Sequence, residues 1–574
     1  MSFFYKSTLS FIGFCLFFLS LNAQELYPKD YFRSPLDIPI YLSGNFGELR
    51  SNHFHAGLDM KTEGVEGKKI YAVADGYVSR IKISPWGYGK ALYITHPNGY
   101  VSVYAHLRNF NDSIGLFVKN EQYKAEEFEI ELILNPSDLV VKKGDIVAFS
   151  GNTGGSGGPH LHFEIRDEKS ENPLNPLLFG FDIKDDVKPT IKEIIIYPLN
   201  ETSFVNNSNK PKILNLTLVS QDTYKVSQPV SVHGQIGFGI DTHDKNTGVH
   251  NKVGVYSIEL KVDGQRKYYH KLDRFSFEHS RCLNSHIDYS TYKRSKNWHQ
   301  KLFVAPNNKL TIYQDLVDSG ALNFIKDSTH LIEYNVMDYN DNLSQVVFSL
   351  QSKSEGPQNF SGKLTTKTNA LFKYGNANEF KNENIILSFP EGTFYDDLNF
   401  EFYSSDPIKG SISPTYHVQN EFIAIHFPFT LSIRVDTLPI NLKRKALIVN
   451  IDDKGAVFPV GGDLRNDWIT ATPKFLGKFA VMIDTVPPVI TPLNIFNGAS
   501  NLREIRIKIT DDLSGIKSYR ASIDGKWVLM EYEFKQALLF HTIEKDLAKG
   551  KHVFHLEVKD SRGNISEFST EFVK

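Results

Sequence analysis

Three short segments between residues 53 and 162 carry histidines and an aspartate at spacings that suit a bound metal ion. The chemistry-bearing residues are His55 and Asp59, then His106, then His160 and His162. In an extended chain, side chains an even number of positions apart point to one face, so each pair can converge. Imidazole nitrogens and a carboxylate suit Zn²⁺, and a catalytic zinc site keeps three protein ligands with an open position for water. The set therefore predicts a catalytic zinc centre.

Other histidines and a glycine-rich loop receive simpler interpretations. A lone histidine is more often structural than a ligand, so His53 and His96 are interpreted as structural or surface residues. The loop from Gly151 to Gly158 lacks the Gly-Lys-Ser/Thr ending of a phosphate-binding loop, and we interpret it as a flexible turn that delivers His160. The sequence contains no His-Glu-x-x-His motif, which argues against a glutamate base of that type.

Short strands separated by turn residues predict the fold that positions these side chains. Apolar stretches alternate with turns across residues 40–165, and Asn98-Gly99 marks the tip of a hairpin that ends at His106. This pattern is typical of a compact antiparallel β domain. The high content of aromatic residues, 42 Phe and 27 Tyr, favours strands in the remainder as well. The predicted fold class is all-β, with immunoglobulin-like β-sandwiches after the first domain.

Taken together, the motifs resemble those of the lysostaphin-like (LytM-type) peptidoglycan endopeptidases, metallopeptidase family M23. The family pattern of His-x-x-x-Asp, a Tyr-x-His-Leu-like segment and His-x-His is matched in order, within about residues 40–180. The resemblance implies that His55, Asp59 and His162 bind Zn²⁺ and that His106 and His160 are catalytic. It also implies a secreted zinc metalloendopeptidase whose substrate is the peptide part of peptidoglycan.

The separate roles of His106 and His160 stay open at this point. Either imidazole titrates near neutrality and could accept a proton, orient water or stabilise the oxyanion. A different class of function is also open, namely a non-catalytic protein of the same fold that binds cell wall or regulates another wall hydrolase. A third alternative is an adhesin or scaffold in which the later β domains carry the function. The presence of every expected metal ligand favours the enzyme.

One segment departs from the family pattern. Residues 107–143 form an insertion, longer than the connection we expect between His106 and the strand that follows Gly144. Within it, Ala125–Leu134 alternates acidic and apolar residues, which predicts an added edge strand. The insertion is either a decorative hairpin or a wall of the substrate groove, since long loops near active sites are often functional. No long amphipathic helix is predicted outside the export signal.

Length and composition set the broad organisation. The 574 residues carry a net charge of −2 and no concentrated basic stretch, so a nucleic-acid partner is not expected. An internal repeat is visible: Asp186–Ile191 matches Asp484–Ile490, strands ending at Asp263-Gly264 and Asp524-Gly525 correspond, and Val336–Ser344 matches Val558–Ser566. The predicted division is a signal peptide at 1–23, a zinc peptidase domain at 24–182, an enlarged immunoglobulin-like sandwich at 183–352, a β-rich domain at 353–482 and a second sandwich at 483–574.

The N-terminus predicts export. Lys6 precedes an apolar run from Leu9 to Leu21, and Ala23 offers a small residue for cleavage. The run is short for a membrane span of about 20 residues, so no transmembrane span is expected after cleavage. Periplasm and cell exterior are equally compatible.

Cys282 would then be the one cysteine of the mature chain, and we interpret it as an inert buried thiol. The later β domains are interpreted as spacers or as modules for cell-envelope partners.

Overall fold

The computed structural model describes residues 27–357 and 370–574, so the predicted signal peptide lies outside the described residues. Strands far outnumber helices, which confirms the all-β prediction: an N-terminal β domain is followed by further β regions. Within the described ranges, none of the helices has the length and apolarity needed to cross a membrane.

The N-terminal region, residues 27–183, is built on an antiparallel sheet. Its elements are β1 (Leu42–Gly44), β2 (Leu49–Arg50), β3 (His53–Phe54), β4 (Leu58–Lys61), β5 (Lys69–Tyr71), β6 (Gly76–Ile83), β7 (Lys90–Thr95), β8 (Tyr100–Ala105), β9 (Leu107–Phe110), α1 (Asp112–Ala125), β10 (Ile130–Ile133), β11 (Val140–Val141), β12 (Ile146–Ser150), β13 (His160–Asp167), β14 (Pro173–Leu174) and a 3₁₀ helix (Pro176–Phe179). The nine-stranded sheet runs β1-β4-β13-β8-β7-β6-β10, with β11 and β14 at its margins, and β5, β12 and β9 form a smaller sheet.

Alternation along the central strands divides this sheet into an apolar and a polar face. In β13, Leu161, Phe163 and Ile165 enter the hydrophobic core, so the intervening His160, His162 and Glu164 take the opposite face. In β4, Leu58 and Met60 enter the same core and leave Asp59 on the polar face. The sheet thus presents the candidate ligands together on one surface.

The insertion at residues 107–143 contains a helix that the sequence analysis missed. Helix α1 begins after Asn111, whose side chain accepts a hydrogen bond from the Ile114 amide. Its buried face consists of Ile114, Val118 and Gln122, a stripe too narrow and too polar to stand out in the sequence. The predicted edge strand is confirmed in part, because β10 pairs with β6 at the sheet edge.

The second region, residues 184–357, forms a large mixed sheet around its own apolar core. Three short helices interrupt it and pack towards the N-terminal region. The elements are β15 (Thr190–Pro198), β16 (Phe204–Val205), β17 (Lys212–Leu214), β18 (Leu216–Leu218), β19 (Thr223–Val226), β20 (Ser231–His243), β21 (Ser257–Val262), β22 (Gln265–Lys271), α2 (Phe277–Ser280), α3 (Leu283–His286), α4 (Tyr289–Ser295), β23 (Gln300–Lys301), β24 (Tyr313–Leu316), a 3₁₀ helix (Asp318–Gly320), β25 (Leu322–Phe324), β26 (Ser328–Met337) and β27 (Leu343–Ser352).

The third region, residues 370–484, encloses its main core between two five-stranded sheets, with a separate two-stranded sheet and a smaller apolar cluster. The C-terminal region, residues 485–574, encloses its core between a four-stranded and a five-stranded sheet. The third region has β28 (Ala370–Phe372), β29 (Asn378–Lys381), β30 (Ile385–Phe389), β31 (Leu398–Phe400), β32 (Phe402–Ser405), β33 (Thr415–Val418), β34 (Thr430–Arg434), α5 (Ile440–Lys443), β35 (Ala446–Ile451), β36 (Val457–Gly461), β37 (Asp463–Arg465), β38 (Trp468–Ala471) and β39 (Gly477–Ile483). The C-terminal region has β40 (Val489–Pro492), β41 (Ala499–Ser500), β42 (Glu504–Thr510), β43 (Ile516–Ile523), β44 (Lys526–Trp527), β45 (Glu531–Glu533), a 3₁₀ helix (Phe534–Gln536), β46 (Leu538–Thr542), β47 (Lys551–Asp560) and β48 (Ile565–Val573). The predicted domain boundaries stay a proposal.

The second region and the C-terminal region both pack against the N-terminal region. The second region joins it through a shared apolar cluster that includes Phe54, Phe275 and Cys282, so the predicted buried thiol is confirmed. The C-terminal region touches its other side, where Lys90 pairs with Glu531 at 2.7 Å. The N-terminal region is therefore held between two other parts of the chain.

Candidate active site

The candidate ligands come together because of strand register. Asp59 on β4 and His162 on β13 are direct partners across two adjacent antiparallel strands. His55 lies in the turn before β4, so our expectation of one continuous extended segment from His55 to Asp59 was wrong. Within that turn Gly57 passes so close to β13 that a Cβ atom would lie 2.2 Å from the Phe163 carbonyl oxygen. This close approach brings His55 over the sheet.

Three donor atoms converge at this place. His55 Nε2 lies 3.0 Å from Asp59 Oδ1 and 3.0 Å from His162 Nδ1, and His162 Nδ1 lies 2.9 Å from Asp59 Oδ1. All three side chains are buried. They form one of the groups of ligand atoms in the described residues that are close enough to hold a metal ion.

The outer hydrogen bonds of the two imidazoles leave their inner nitrogens free for a cation. His55 Nδ1 lies 2.7 Å from the Asn45 carbonyl oxygen, which can only accept, so this nitrogen donates and Nε2 keeps its lone pair. His162 Nε2 likewise donates to Glu164 Oε1 at 2.8 Å. Burial opposes ionisation of His162, but hydrogen bonds to Asp59 and Glu164 outweigh it and raise the pKa of His162 to about 9. Its Nδ1 therefore carries a positive partner at this point, either a proton or a metal ion that replaces it. The donor set therefore fits Zn²⁺.

His106 and His160 stand beside this cluster with their rings 4.8 Å apart. His106 follows β8 in the left-handed backbone conformation, with φ 58°, a strained state that is common at functional positions. Its Nδ1 donates to the Thr153 carbonyl oxygen at 2.8 Å, and His160 Nδ1 donates to that of Gly158 at 2.8 Å. In each ring Nε2 is therefore the nitrogen left for a further partner, and His160 Nε2 lies 3.4 Å from Asp59 Oδ1.

Supporting residues that the sequence analysis did not single out surround the ligands. Glu164 accepts hydrogen bonds from His162, from Tyr88 and, at 2.6 Å, from Arg166. Arg50 donates to Asp59 Oδ2 at 2.7 Å. The signal for Glu164 was present in the sequence, because it follows His162 by two positions on the same strand face. Arg50, at the end of the short strand β2, and Tyr88, in the turn before β7, carry no comparable signal.

Charges in this buried cluster shift the ionisation of its members. Burial raises the pKa of Asp59, but its three histidine neighbours outweigh burial and hold that pKa well below the usual value. Burial also opposes ionisation of Glu164, yet Arg166 and His162 lower its pKa to about 2. Burial lowers the pKa of His106 to about 3, assisted by His162 and His160. Both carboxylates are thus ionised and His106 is neutral near pH 7.

Sequence comparison relates these residues to a known family. The profile described as peptidase family M23 matches residues 53–126 and 134–176, a range that includes all five predicted site residues.

The N-terminal region of the chain is similar to the peptidases of family M23.

A second profile, described as a Zu5-like domain, matches residues 369–484, which is the third region.

The relatives of the M23 domain are described either as peptidases or as activators of a murein hydrolase. DD-carboxypeptidase/endopeptidase Mpg of Neisseria meningitidis is 32% identical over 129 residues, 22% of this chain and 23% of that protein. An uncharacterized metalloprotease of Haemophilus influenzae is 31% identical over 167 residues, 28% of this chain and 30% of that protein. Murein hydrolase activator NlpD of Salmonella dublin is 36% identical over 134 residues, 23% of this chain and 28% of that protein. The similarity thus spans only about a quarter of the length of these relatives.

A cavity of about 1280 Å³ opens above the ligand cluster of the M23 domain. The second region supplies part of its wall through Phe277, Ser280 and Arg281. The Ser280 hydroxyl accepts a hydrogen bond from the Phe54 amide at 3.1 Å, which ties this wall to the strand before His55. The groove is therefore built by two regions of the chain.

The insertion has neither of the two roles that the sequence analysis offered. The structure describes all of residues 107–143, and none of them lines the groove. Instead α1 faces the C-terminal region: Lys119 and Tyr123 both bond to Glu544, and the Tyr123 ring meets Trp527 at 5.1 Å. The insertion is an attachment point for the C-terminal region.

The histidines interpreted as structural stay apart from the cluster. His96 is buried between the Asp75 carbonyl oxygen and the Ser102 hydroxyl, at 2.9 and 2.8 Å. His53 lies on the groove wall, and its Nδ1 donates to the Ser51 carbonyl oxygen at 2.8 Å. Only the five predicted residues, among the histidines and acids singled out from the sequence, meet at the site.

Proposed function

We propose that the protein is an exported zinc metalloendopeptidase that hydrolyses peptide bonds of peptidoglycan. The observation that carries this proposal is the convergence of His55 Nε2, Asp59 Oδ1 and His162 Nδ1 beneath a wide groove. The relatives described as peptidases of this family support hydrolysis. Export rests on the N-terminal sequence and on the extracytoplasmic place of the proposed substrate.

In this proposal His55, Asp59 and His162 hold the zinc ion. Bound zinc would lower the pKa of a water molecule to about 7, so that a nucleophile would be available at neutral pH. Glu164 fixes the His162 ring by accepting from its Nε2, and Asn45 fixes the His55 ring by accepting from its Nδ1. These outer partners hold the ligand nitrogens in the orientation that metal binding requires.

His106 and His160 are proposed to act on the substrate and the water. Each donates its Nδ1–H to a backbone carbonyl oxygen, so each presents an Nε2 lone pair that can accept a proton. His106 is neutral near pH 7 because burial lowers its pKa to about 3, which suits a residue that orients water as a hydrogen-bond acceptor. His160 lies nearer to Asp59 and is the better placed of the two to stabilise a positive charge after proton transfer.

The alternative is a non-catalytic protein that regulates a wall hydrolase, and the similarity to murein hydrolase activator NlpD favours considering it. The two readings differ in one requirement: an activator needs the fold, whereas a peptidase also needs the metal ligands and the flanking histidines. All five side chains are present and converge here. The proposal therefore favours the enzyme.

The experiment uses the exported chain from residue 24 to residue 574, because the second region forms part of the groove. Purified peptidoglycan is incubated with the zinc-loaded protein, with the chelated protein and with the His162→Ala variant, and released peptides are identified by mass spectrometry. We expect new peptide termini in the first arm alone, with activity restored to the chelated protein by zinc. Identical peptide profiles in all three arms, together with stimulation of a separate wall hydrolase, would establish the activator instead.

A further inference from the structure

A second cluster of acidic side chains lies where the second region meets the M23 domain. Asp185, Asp244 and Asp338 bring carboxylate oxygens within 4.8 Å of one another. They line a small cavity together with Asn246 and with Asn45 of the M23 domain. Asp244 and Asp338 are buried, with exposed fractions of 2% and 3%. Three carboxylates this close and this buried repel one another strongly.

The hydrogen bonds around this cluster leave some of its oxygens without a donor. Asp185 accepts from the Asn246 amide group, and Asp338 accepts from Asn342 at 2.8 Å through both the backbone and the side chain. In contrast, Asp244 Oδ1 is buried and has no hydrogen-bond partner, and the same is true of Asn246 Oδ1. Among the described residues, no lysine or arginine forms an ion pair with any of the three aspartates. Buried acceptors without donors are rare in folded proteins and call for a ligand.

The second copy of the internal repeat provides a comparison that shows which features of this cluster both copies share. The C-terminal region carries the corresponding acids Asp484, Asp511 and Asp560. The hydrogen bonds match Asp484 with Asp185, one residue before Asp186, with which the sequence alignment of the repeat paired it. Asn342 Nδ2 donates to the Asp185 carbonyl oxygen, and Asn564 Nδ2 donates to that of Asp484, both at 3.1 Å. The two copies thus share their framework of hydrogen bonds.

The copies differ at their middle aspartate. Asp511 is only partly buried, and its carboxylate accepts from the amides of Leu513 and Gly515. Asp244, in the second region, is almost fully buried and its Oδ1 lacks such a donor. The need for an additional positive partner is therefore specific to the second region.

We propose that Asp185, Asp244 and Asp338, with the side-chain oxygen of Asn246, bind one calcium ion. All of the donors are hard oxygen atoms, which suit Ca²⁺, and the cluster contains no histidine or cysteine that would favour zinc. The aspartates lie on separate loops, before β15, after β20 and after β26, so their oxygens can surround a cation that accepts six to eight ligands in flexible geometry. Calcium would supply the missing partner of Asp244 Oδ1 and Asn246 Oδ1.

The position of this ion gives it a structural role for the neighbouring site. Asn45 lines the acidic cavity, and its side chain exchanges two hydrogen bonds with the Gly254 backbone, at 2.7 and 2.8 Å. The carbonyl oxygen of the same residue orients His55. A calcium ion here would therefore stabilise the junction from which the M23 domain holds one of its proposed zinc ligands.

Calcium binding is tested on the full exported chain with three proteins: wild type, Asp244→Asn and, as a matched control, Asp186→Asn. Asp186 is exposed and lies next to Asp185, so the control makes the same change of charge outside the cluster. After dialysis against calcium, bound metal per chain is measured by mass spectrometry. We expect wild type and Asp186→Asn to retain one calcium ion more than Asp244→Asn. Equal calcium in all three, or less than one equivalent in wild type, would overturn the proposal.

Thermal unfolding separates metal binding from a merely structural role of Asp244. With a calcium-selective chelator, Asp244→Asn should unfold at or above the temperature of wild type, because the neutral amide needs no cation at this buried position. With calcium, wild type should gain stability and the variant should not. A variant that is less stable than wild type by the same amount in both conditions would contradict the proposal.

Terbium provides a third readout, since Tyr256 and Tyr339 line the cavity and can sensitise terbium emission. Added calcium should displace the terbium ion and abolish this emission.

Discussion

Two groups of potential metal ligands lie within reach of Asn45. One is the histidine-rich cluster of His55, Asp59 and His162, and the other is the acidic cluster of Asp185, Asp244 and Asp338. In the histidine-rich cluster each imidazole donates its outer N–H to an acceptor, so the inner nitrogens are directed to one point. In the acidic cluster the framework is made by amides that donate to carboxylates, and one carboxylate oxygen is left over.

This difference teaches that the outer hydrogen bonds, as much as the ligand types, determine which ion a cluster suits. The outer acceptors of the histidine-rich cluster fix ring orientation and leave nitrogen lone pairs inward, as a zinc site requires. The amide donors of the acidic cluster hold carboxylates in place but supply too little positive charge. The proposals of zinc at the first cluster and calcium at the second rest on this contrast, which predicts that each cluster loses its ion independently of the other.

The largest effect is expected from removing a proposed zinc ligand. His162→Ala should abolish zinc binding and reduce peptide release to the level of the chelated protein, because two ligands do not hold zinc in the geometry of a catalytic site. Bound zinc is measured per chain, together with released peptides. His53→Ala is the matched control, since His53 lies on the same groove wall and bonds only to the Ser51 carbonyl oxygen. Stoichiometric zinc in His162→Ala would refute the ligand assignment, and loss of calcium from the same variant would break the contrast between the clusters.

The next effect concerns the histidines that are proposed to act without holding the metal. His160→Ala and His106→Ala should each retain zinc and lower kcat by about 10²–10⁴-fold, the range for loss of a group that handles a proton. Zinc content and steady-state kinetics on a defined stem peptide provide the measurement. A loss of zinc in either variant would instead place that residue among the ligands.

A smaller effect is expected at Glu164, which supports His162 from outside. Glu164→Gln keeps the shape but removes a negative charge, which Arg166 and His162 stabilise against burial by lowering the pKa of this carboxyl to about 2. We expect zinc affinity to fall by about 10–100-fold, as is common when the outer partner of a ligating histidine is changed. Competition with a zinc chelator measures it, with the exposed Glu168→Gln as control. Unchanged affinity would mean that backbone register alone orients His162.

The sequence was a good guide wherever a regular strand carries the chemistry. Alternation along β13 places His160, His162 and Glu164 on one face, and the Asn98-Gly99 turn correctly predicts the hairpin that ends at His106. The position of His55 was reached by the family spacing, although the assumed continuous strand is replaced by a turn at Gly57. The direction of a side chain can therefore be predicted from the sequence along a regular strand, but not where the backbone is irregular.

Features that depend on contacts between distant regions could not be predicted in this way. The groove wall at Phe277 and Arg281 comes from a segment more than 100 residues beyond His162, and no local pattern marks it. Helix α1 was missed because its buried face is narrow, and its role depends on the C-terminal region. The acidic cluster was not predicted, because only Asp338 lay in a repeated segment and the burial of Asp244 is a property of the folded junction.

The smallest effect is expected where the C-terminal region touches the loop that carries His160. Lys535 donates to the carbonyl oxygens of Asn152 and Ser156. Among the described residues, the C-terminal region makes no hydrogen bond of this kind to the acidic cluster. Because this lysine is partly exposed, its loss should destabilise the loop by only about 0.2–1 kcal/mol, the range typical of exposed charged contacts. Lys535→Ala should speed hydrogen exchange across residues 151–158 and lower kcat slightly, with zinc and calcium contents unchanged. The exposed Lys549→Ala is the control. If exchange in the loop is unaffected while kcat falls, the C-terminal region acts on the substrate rather than on the loop.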